Sequence, residues 1–307
     1  MPIEKINSSC FLPSGDFKNS WLEDEGFGSS LQAYADQTRL HLEHIEPLYR
    51  HRRDYDANFP FESIVEKLKC FRWAHPIEHE VRPTSEIDRT MPMLLGPLFT
   101  SKEFPWPRHK RKFRAPLCQF DLEVVGSLQG VNLGSGLLQL WLGPRFDDYE
   151  ARVIPKSALQ KERLTPIPDG LDRDYFEKKN IFSGDFFDWL DSKGGGKSVV
   201  IKGNKTKILT WPDSLKQDLD DLAYNVKSEH KAEIEDFIEC LADEVPDPTP
   251  HFFGNFSPIQ YSVEHMPPCL LAIESSGPFY WGDGGNAQIF YNQEYDQTHF
   301  MFNWSCS

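Results

Sequence analysis

Phe279-Tyr280-Trp281-Gly282-Asp283-Gly284-Gly285, followed by Asn286-Ala287-Gln288-Ile289-Phe290-Tyr291, decides how this chain is read. Two bulky apolar runs flank a small-residue turn, and glycine and aspartate tolerate the positive φ that tight turns need, so the stretch predicts a β-hairpin. Working outward, the same language recurs about 150 residues earlier. Leu94-Leu95-Gly96-Pro97, Pro116 to Glu123 and Gly136-Leu137-Leu138-Gln139-Leu140-Trp141 parallel Phe252-Phe253-Gly254-Asn255, Cys269 to Ser275 and Gly284 to Tyr291. Self-similarity at a long offset predicts two related β units.

Between and around these units, Ile77 to Val81 alternates, and Leu117 to Leu122 and Gly136 to Leu142 read as strands. Lys197 to Leu209 reads as a hairpin about Gly203-Asn204. Helical spacing occurs at Leu31, Tyr34, Leu42, Ile45 and Leu48, with a short second helix over 61–71 and another over 172–191. Leu215, Leu219, Leu222 and Val226, then Ile234, Phe237, Ile238 and Leu241, make two more apolar stripes, ended by Pro246, Pro248 and Pro250. The expected organisation is a helical N-terminal extension, 1–74, and an α+β domain, 75–307, in two half-units of about 75–210 and 211–307.

Charge narrows the function classes. The 307 residues carry a formal net charge of -14, which opposes general nucleic-acid binding. Residues 213–247 hold twelve carboxylates against three cations. An acidic face formed by Glu233, Glu235, Asp236, Glu239, Asp243 and Glu244 is either a solvated helix surface or a docking surface for a basic protein. No apolar run is long enough to span a membrane and no secretory signal opens the chain, so a cytoplasmic location is expected. The six scattered cysteines then read as reduced thiols.

Several local patterns carry chemistry only at first sight. Ser192 to Ser198 has a phosphate-loop flavour, but Asp191 stands at the first glycine position and a strand, not a helix, follows. His75 and His79 are four apart with no third ligand indicated, so neither a metal nor a cofactor is expected. Arg108 to Arg114 reads as a solvated basic loop, with pairing to the acidic helix as the alternative. Asp283 suits a turn residue better than an acid or base.

The sequence resembles the YwqG-like family, a bacterial domain of unknown function, over about 75–307. The resemblance rests on Gly96, Trp106-Pro107 and Gln119, Gly136 to Gln139, His251 to Gly254 with Ile259-Gln260, Trp281 to Gly285, and Phe302, Trp304 and Cys306. Asn255-Phe256-Ser257 and Leu271-Ala272-Ile273-Glu274 depart from the family's Gly-Tyr-Pro and Leu-Gln-Ile-Asp. It implies antiparallel sheets from two similar halves and a relationship to proteins encoded near secreted toxins. The expected function is a non-enzymatic immunity protein that occludes a cognate, basic nuclease-type toxin. The alternative is a small-molecule binder or enzyme with a pocket between the β halves, lined by Gln139, Trp141, Trp281 and Asp283.

Overall fold

The computed structural model describes residues 72–143, 148–168, 196–204, 208–210, 218, 250–255, 268–275, 279, 281, 285–294 and 297–305. The chain divides into two compact units, one of Met1–Ala74, Lys207–Asp247 and Gly254–Ser257, the other of His75–Thr206, Pro248–Phe253 and Pro258–Ser307.

The described strands are β1 (Arg72–Pro83), β2 (Met93–Leu95), β3 (Arg108–His109), β4 (Lys112–Phe113), β5 (Ala115–Asp121), β6 (Leu137–Leu142) and β7 (Tyr149–Ile154). They continue with β8 (Lys197–Asn204), β9 (Ile208–Thr210), β10 (His251–Phe253), β11 (Cys269–Glu274), β12 (Asn286–Glu294) and β13 (Gln297–Ser305). An 11-stranded sheet runs in the order β13-β12-β11-β10-β1-β8-β2-β5-β6-β7, with β9 paired to the start of β1 off that path. Strands 2, 5, 6 and 7 are thus laid out on one side of the β1–β8 pair as strands 10 to 13 are on the other. Tyr149 on β7 and Phe302 on β13 tilt against each other at 6.0 Å, so the two ends of the sheet meet and the second unit is a nearly closed barrel. Closure removes the exposed edges that an open sheet must otherwise protect.

Alternation along β6 explains why its whole length is buried. Leu138, Leu140 and Leu142 join Leu117, Phe120, Phe252, Leu271, Ile273 and Ile289 in the barrel interior. Leu137 and Trp141 face the other way, into two smaller clusters built with Phe99 and Ile154, and with Met93, Leu98 and Trp106. The sheet is therefore covered on its outer face as well as packed on its inner one. A short helix, α1 (Leu122–Ser127), follows β5, with the Asp121 carboxylate accepting from the Glu123 and Val124 amides as its N-cap.

Strands predominate in the described residues, which corrects the expected α+β class. The two β-rich stretches contribute to one near-closed antiparallel sheet rather than to sheets flanked by helices, because their inward leucines and phenylalanines share one interior. The helices expected within 31–48, 61–71, 172–191 and 215–241 lie outside the described residues. Residues 197–209 do not form the expected hairpin: β8 and β9 each pair antiparallel with β1, β8 from Ile77 to Pro83 and β9 from Arg72 to Ala74. Of the Gly-Asp-Gly-Gly stretch, Gly282 to Gly284 lie outside the described residues, and the Gly285 amide donates to Trp281 O at 3.1 Å. The β11–β12 register ends at Glu274↔Asn286, beyond which the Ser275 hydroxyl donates to Gly285 O at 2.7 Å and accepts from the Trp281 amide at 3.0 Å.

In the other unit, the described part is the start of β1 paired with β9 and the Gly254–Asn255 turn. Asn255 donates its amide to Thr210 Oγ1 (2.6 Å) and its side-chain nitrogen to Thr210 O (3.1 Å). Gly254 has φ +82, and a Cβ there would come within 2.7 Å of the Ala74 Cβ, so glycine is required on both counts.

Candidate functional site

The outer face of the β2-β5-β6-β7 side holds the most organised polar cluster among the described residues. Register places Met93, Gln119, Gln139 and Arg152 in one row across four strands. The row lies under the segment from Pro97 to Pro107, and both glutamines are fully buried.

Each glutamine is saturated. Gln119 donates to the carbonyls of Arg89 (2.9 Å) and Met91 (2.6 Å), and its Oε1 accepts from the Phe99 amide (2.9 Å) and from Gln139 Nε2 (2.9 Å). Gln139 donates also to Phe99 O (2.8 Å), and its Oε1 accepts from Trp141 Nε1 (3.2 Å) and Arg152 Nε (2.8 Å). A side-chain amide has two donor hydrogens and two acceptor lone pairs, and all are used in both residues. Phe99 is therefore held by side chains where a neighbouring strand would otherwise hold it.

Two arginines complete the cluster. Arg89 donates through Nε and Nη2 to Leu98 O, through Nη1 to Thr165 O (2.6 Å) and through Nη2 to Thr100 Oγ1 (2.6 Å). Burial lowers its pKa to about 10. The Arg152 guanidinium lies 5.2 Å over the Trp141 ring and donates to Pro105 O; burial lowers it to about 10 while Glu150 pulls it the other way. Trp141 packs edge-on against Trp106 at 4.9 Å, and Trp106 Nε1 donates to Arg114 O at 2.8 Å.

Of the expected pocket residues, the three that are described fall in two separate clusters. Gln139 and Trp141 belong to this outer cluster. Trp281 lies with Phe279 and Phe302 in the barrel interior, its ring stacked on Phe279 at 6.2 Å. Asp283 and the acidic residues Glu233, Glu235, Asp236, Glu239, Asp243 and Glu244 lie outside the described residues. A groove of about 480 Å³ is instead lined by Ser101 to Glu103 and Glu162 to Pro166, at the outer surface of the cover.

The other motifs resolve into structure. His75 is buried, its Nε2 3.1 Å from Gln129 Nε2 and its ring edge-on to Phe253. Lys197 and Ser198 begin β8, and Ser198 Oγ pairs with Thr84 Oγ1 at 3.1 Å, which leaves no strand-to-helix phosphate loop there. Among the described residues, no group of three or more His, Cys, Asp or Glu could hold a metal ion. Cys118 and Cys269 are buried, and burial raises the Cys118 thiol. No helix among the described residues is long and apolar enough to cross a membrane. The basic run, expected as a loop, is a hairpin of β3 and β4, a form hidden in the sequence because its turn is Lys110-Arg111 rather than Asn-Gly.

Compared with known proteins, no family model and no curated protein matches the chain.

Proposed function

We propose that this is a cytoplasmic, bacterial protein-binding protein of the YwqG-like kind, an immunity protein that neutralises a cognate toxin by direct binding and occlusion. The observation that carries the reading is the concentration of charge: twelve carboxylates and three cations within 213–247 account for nine of the chain's fourteen net negative charges. A nuclease-type toxin is basic toward its own polyanionic substrate, so an acidic surface competes for the same cations. Glu233, Glu235, Asp236, Glu239, Asp243 and Glu244 are the residues assigned to that surface. The saturation of Gln119 and Gln139 also favours this reading over a ligand pocket built on them, since neither keeps a donor or acceptor for a substrate.

Affinity capture from native lysate at about 50 and 300 mM salt tests the proposal, because electrostatic association weakens as screening shortens. A stoichiometric basic partner retained at the lower salt and lost at the higher supports it. Binding to that partner that survives reversal of Glu235, Asp236 and Glu239 would remove the acidic-face mechanism.

A further inference from the structure

The β3–β4 hairpin is a two-stranded sheet of its own, separate from the barrel sheet. Its register, Arg108↔Phe113 and His109↔Lys112, leaves Lys110 and Arg111 as the two turn residues. A free-standing two-stranded hairpin is marginal in water. This one is braced at its base: Arg114 N donates to Pro107 O (3.0 Å), Trp106 Nε1 to Arg114 O (2.8 Å), and Arg114 Nη2 and His109 Nδ1 each lie 2.6 Å from an Asp148 carboxylate oxygen. The Arg108 guanidinium lies 3.8 Å over the Phe113 ring, which stiffens one arm.

What the brace holds out to solvent is positive. Arg108, Lys110, Arg111 and Lys112 are all exposed. Lys110 has φ 54, a left-handed conformation that costs an L-residue about 1–2 kcal/mol and a glycine almost nothing. The turn thus carries a cation at the position where its backbone favours glycine. Arg108, Lys110 and Arg111, three exposed cations within four residues on a chain of net charge -14, form a local field opposite in sign to the whole.

We infer that this hairpin is a self-association surface whose occupant is the acidic segment 213–247 of a second copy. Charge complementarity selects it: the exposed Arg108, Lys110 and Arg111 are opposite in sign to a segment with nine net negative charges. Two copies of net charge -14 repel at long range, but at physiological salt the screening length is about 8 Å, so local sign decides contact. The same negative net charge disfavours a nucleic acid as occupant, which needs many phosphate contacts for affinity. Reciprocal hairpin-to-segment contacts in a pair would close a two-fold dimer. The inference goes beyond the proposed function and shares with it only the acidic segment.

Sedimentation velocity of the full chain over a range of concentrations, at 50 and 500 mM NaCl, reads the association directly. The expected result is a dimer at low salt that weakens at least about tenfold in K110E/R111E, a loss of roughly 1.4 kcal/mol or more. It should be unchanged in the control K102E/R163E, and recover when K110E/R111E is combined with E235K/D236K. A monomer at every concentration and salt overturns the inference, as does a dimer indifferent to K110E/R111E or equally weakened by the control. Since no toxin is present, a monomer here leaves the immunity reading standing, while failure to capture a basic partner leaves the dimer standing.

Discussion

The two sides of the barrel sheet share a layout and differ in how their outer rows are used. On one side the row is Met93, Gln119, Gln139 and Arg152; on the other, register aligns His251, Ala272, Gln288 and Asn303. Gln139 and Gln288 occupy corresponding places, but the partner of Gln139 is a glutamine and that of Gln288 is an alanine. Gln139 reaches across strands and out to Phe99, whereas Gln288 Nε2 donates along its own strand to Asn286 Oδ1, which also accepts from Ser305 Oγ at 2.9 Å. Gln139 thus fastens a covering segment across strands, and the Asn286 contact of Gln288 ties the start of β12 to the end of β13. The residue type is the same; the neighbour decides its task.

The largest effect should follow from breaking the fastened side. Gln139→Ala leaves Phe99 O, Gln119 Oε1, Trp141 Nε1 and Arg152 Nε each short of a partner. Unsatisfied buried polar groups cost about 1–3 kcal/mol each, with partial relaxation, so a loss of about 4 kcal/mol is expected by chemical denaturation. Next comes the joint between this side and β8. Gly96 has φ +140, and a Cβ there would sit 2.5 Å from Ser198 Oγ, so Gly96→Ala should cost about 2 kcal/mol on the same assay.

Gln288→Ala sharpens the comparison from the other side. It removes the along-strand bond to Asn286, which by itself contributes about 1–2 kcal/mol; a loss equal to that of Gln139→Ala would show that Gln288 carries as much as its counterpart. The smallest effect belongs to a tie at the edge of the fastened cover. Asp88 accepts from the Thr90 amide (3.0 Å) and pairs with Lys161 at 2.7 Å. Burial pushes its carboxyl up, yet the Lys161 and Thr90 contacts outweigh burial and hold it below its ordinary 3.8. A carboxyl lowered on folding contributes stability above its unfolded value and loses it as pH falls through the folded one. Asp88→Asn should therefore lower the thermal midpoint slightly at neutral pH, with the gap to wild type closing below pH 3.8.

Much of the scaffold was legible because strand alternation is local. Ile77 to Val81 falls in β1, and the runs at 117–122 and 136–142 fall in β5 and β6 to within one residue. What was illegible depends on distant partners. Gln119 and Gln139 stand out in sequence as polar residues in apolar strands, but nothing nearby says that Phe99 supplies the N–H and C=O they bind. Trp281 and Trp141 looked like two walls of one pocket because both lie on aromatic, glycine-flanked stretches; their side chains face opposite sides of the sheet system, one into the barrel interior and one under the cover. Gly203-Asn204 carries turn chemistry, yet β8 and β9 find their partner in β1, far upstream. His109 and Arg114 meet Asp148 across more than thirty residues, which is why the basic run read as a loop rather than a braced hairpin.

Native-state hydrogen exchange at the Phe99 amide tests the central claim, that the buried glutamine row is a fastening and not a ligand site. Its only described acceptor is Gln119 Oε1, at 2.9 Å. Slow exchange close to the global unfolding limit is expected in wild type, falling to local-opening rates in Gln119→Ala while the β11–β12 amides stay protected. Fast exchange at Phe99 in the wild-type protein would contradict it.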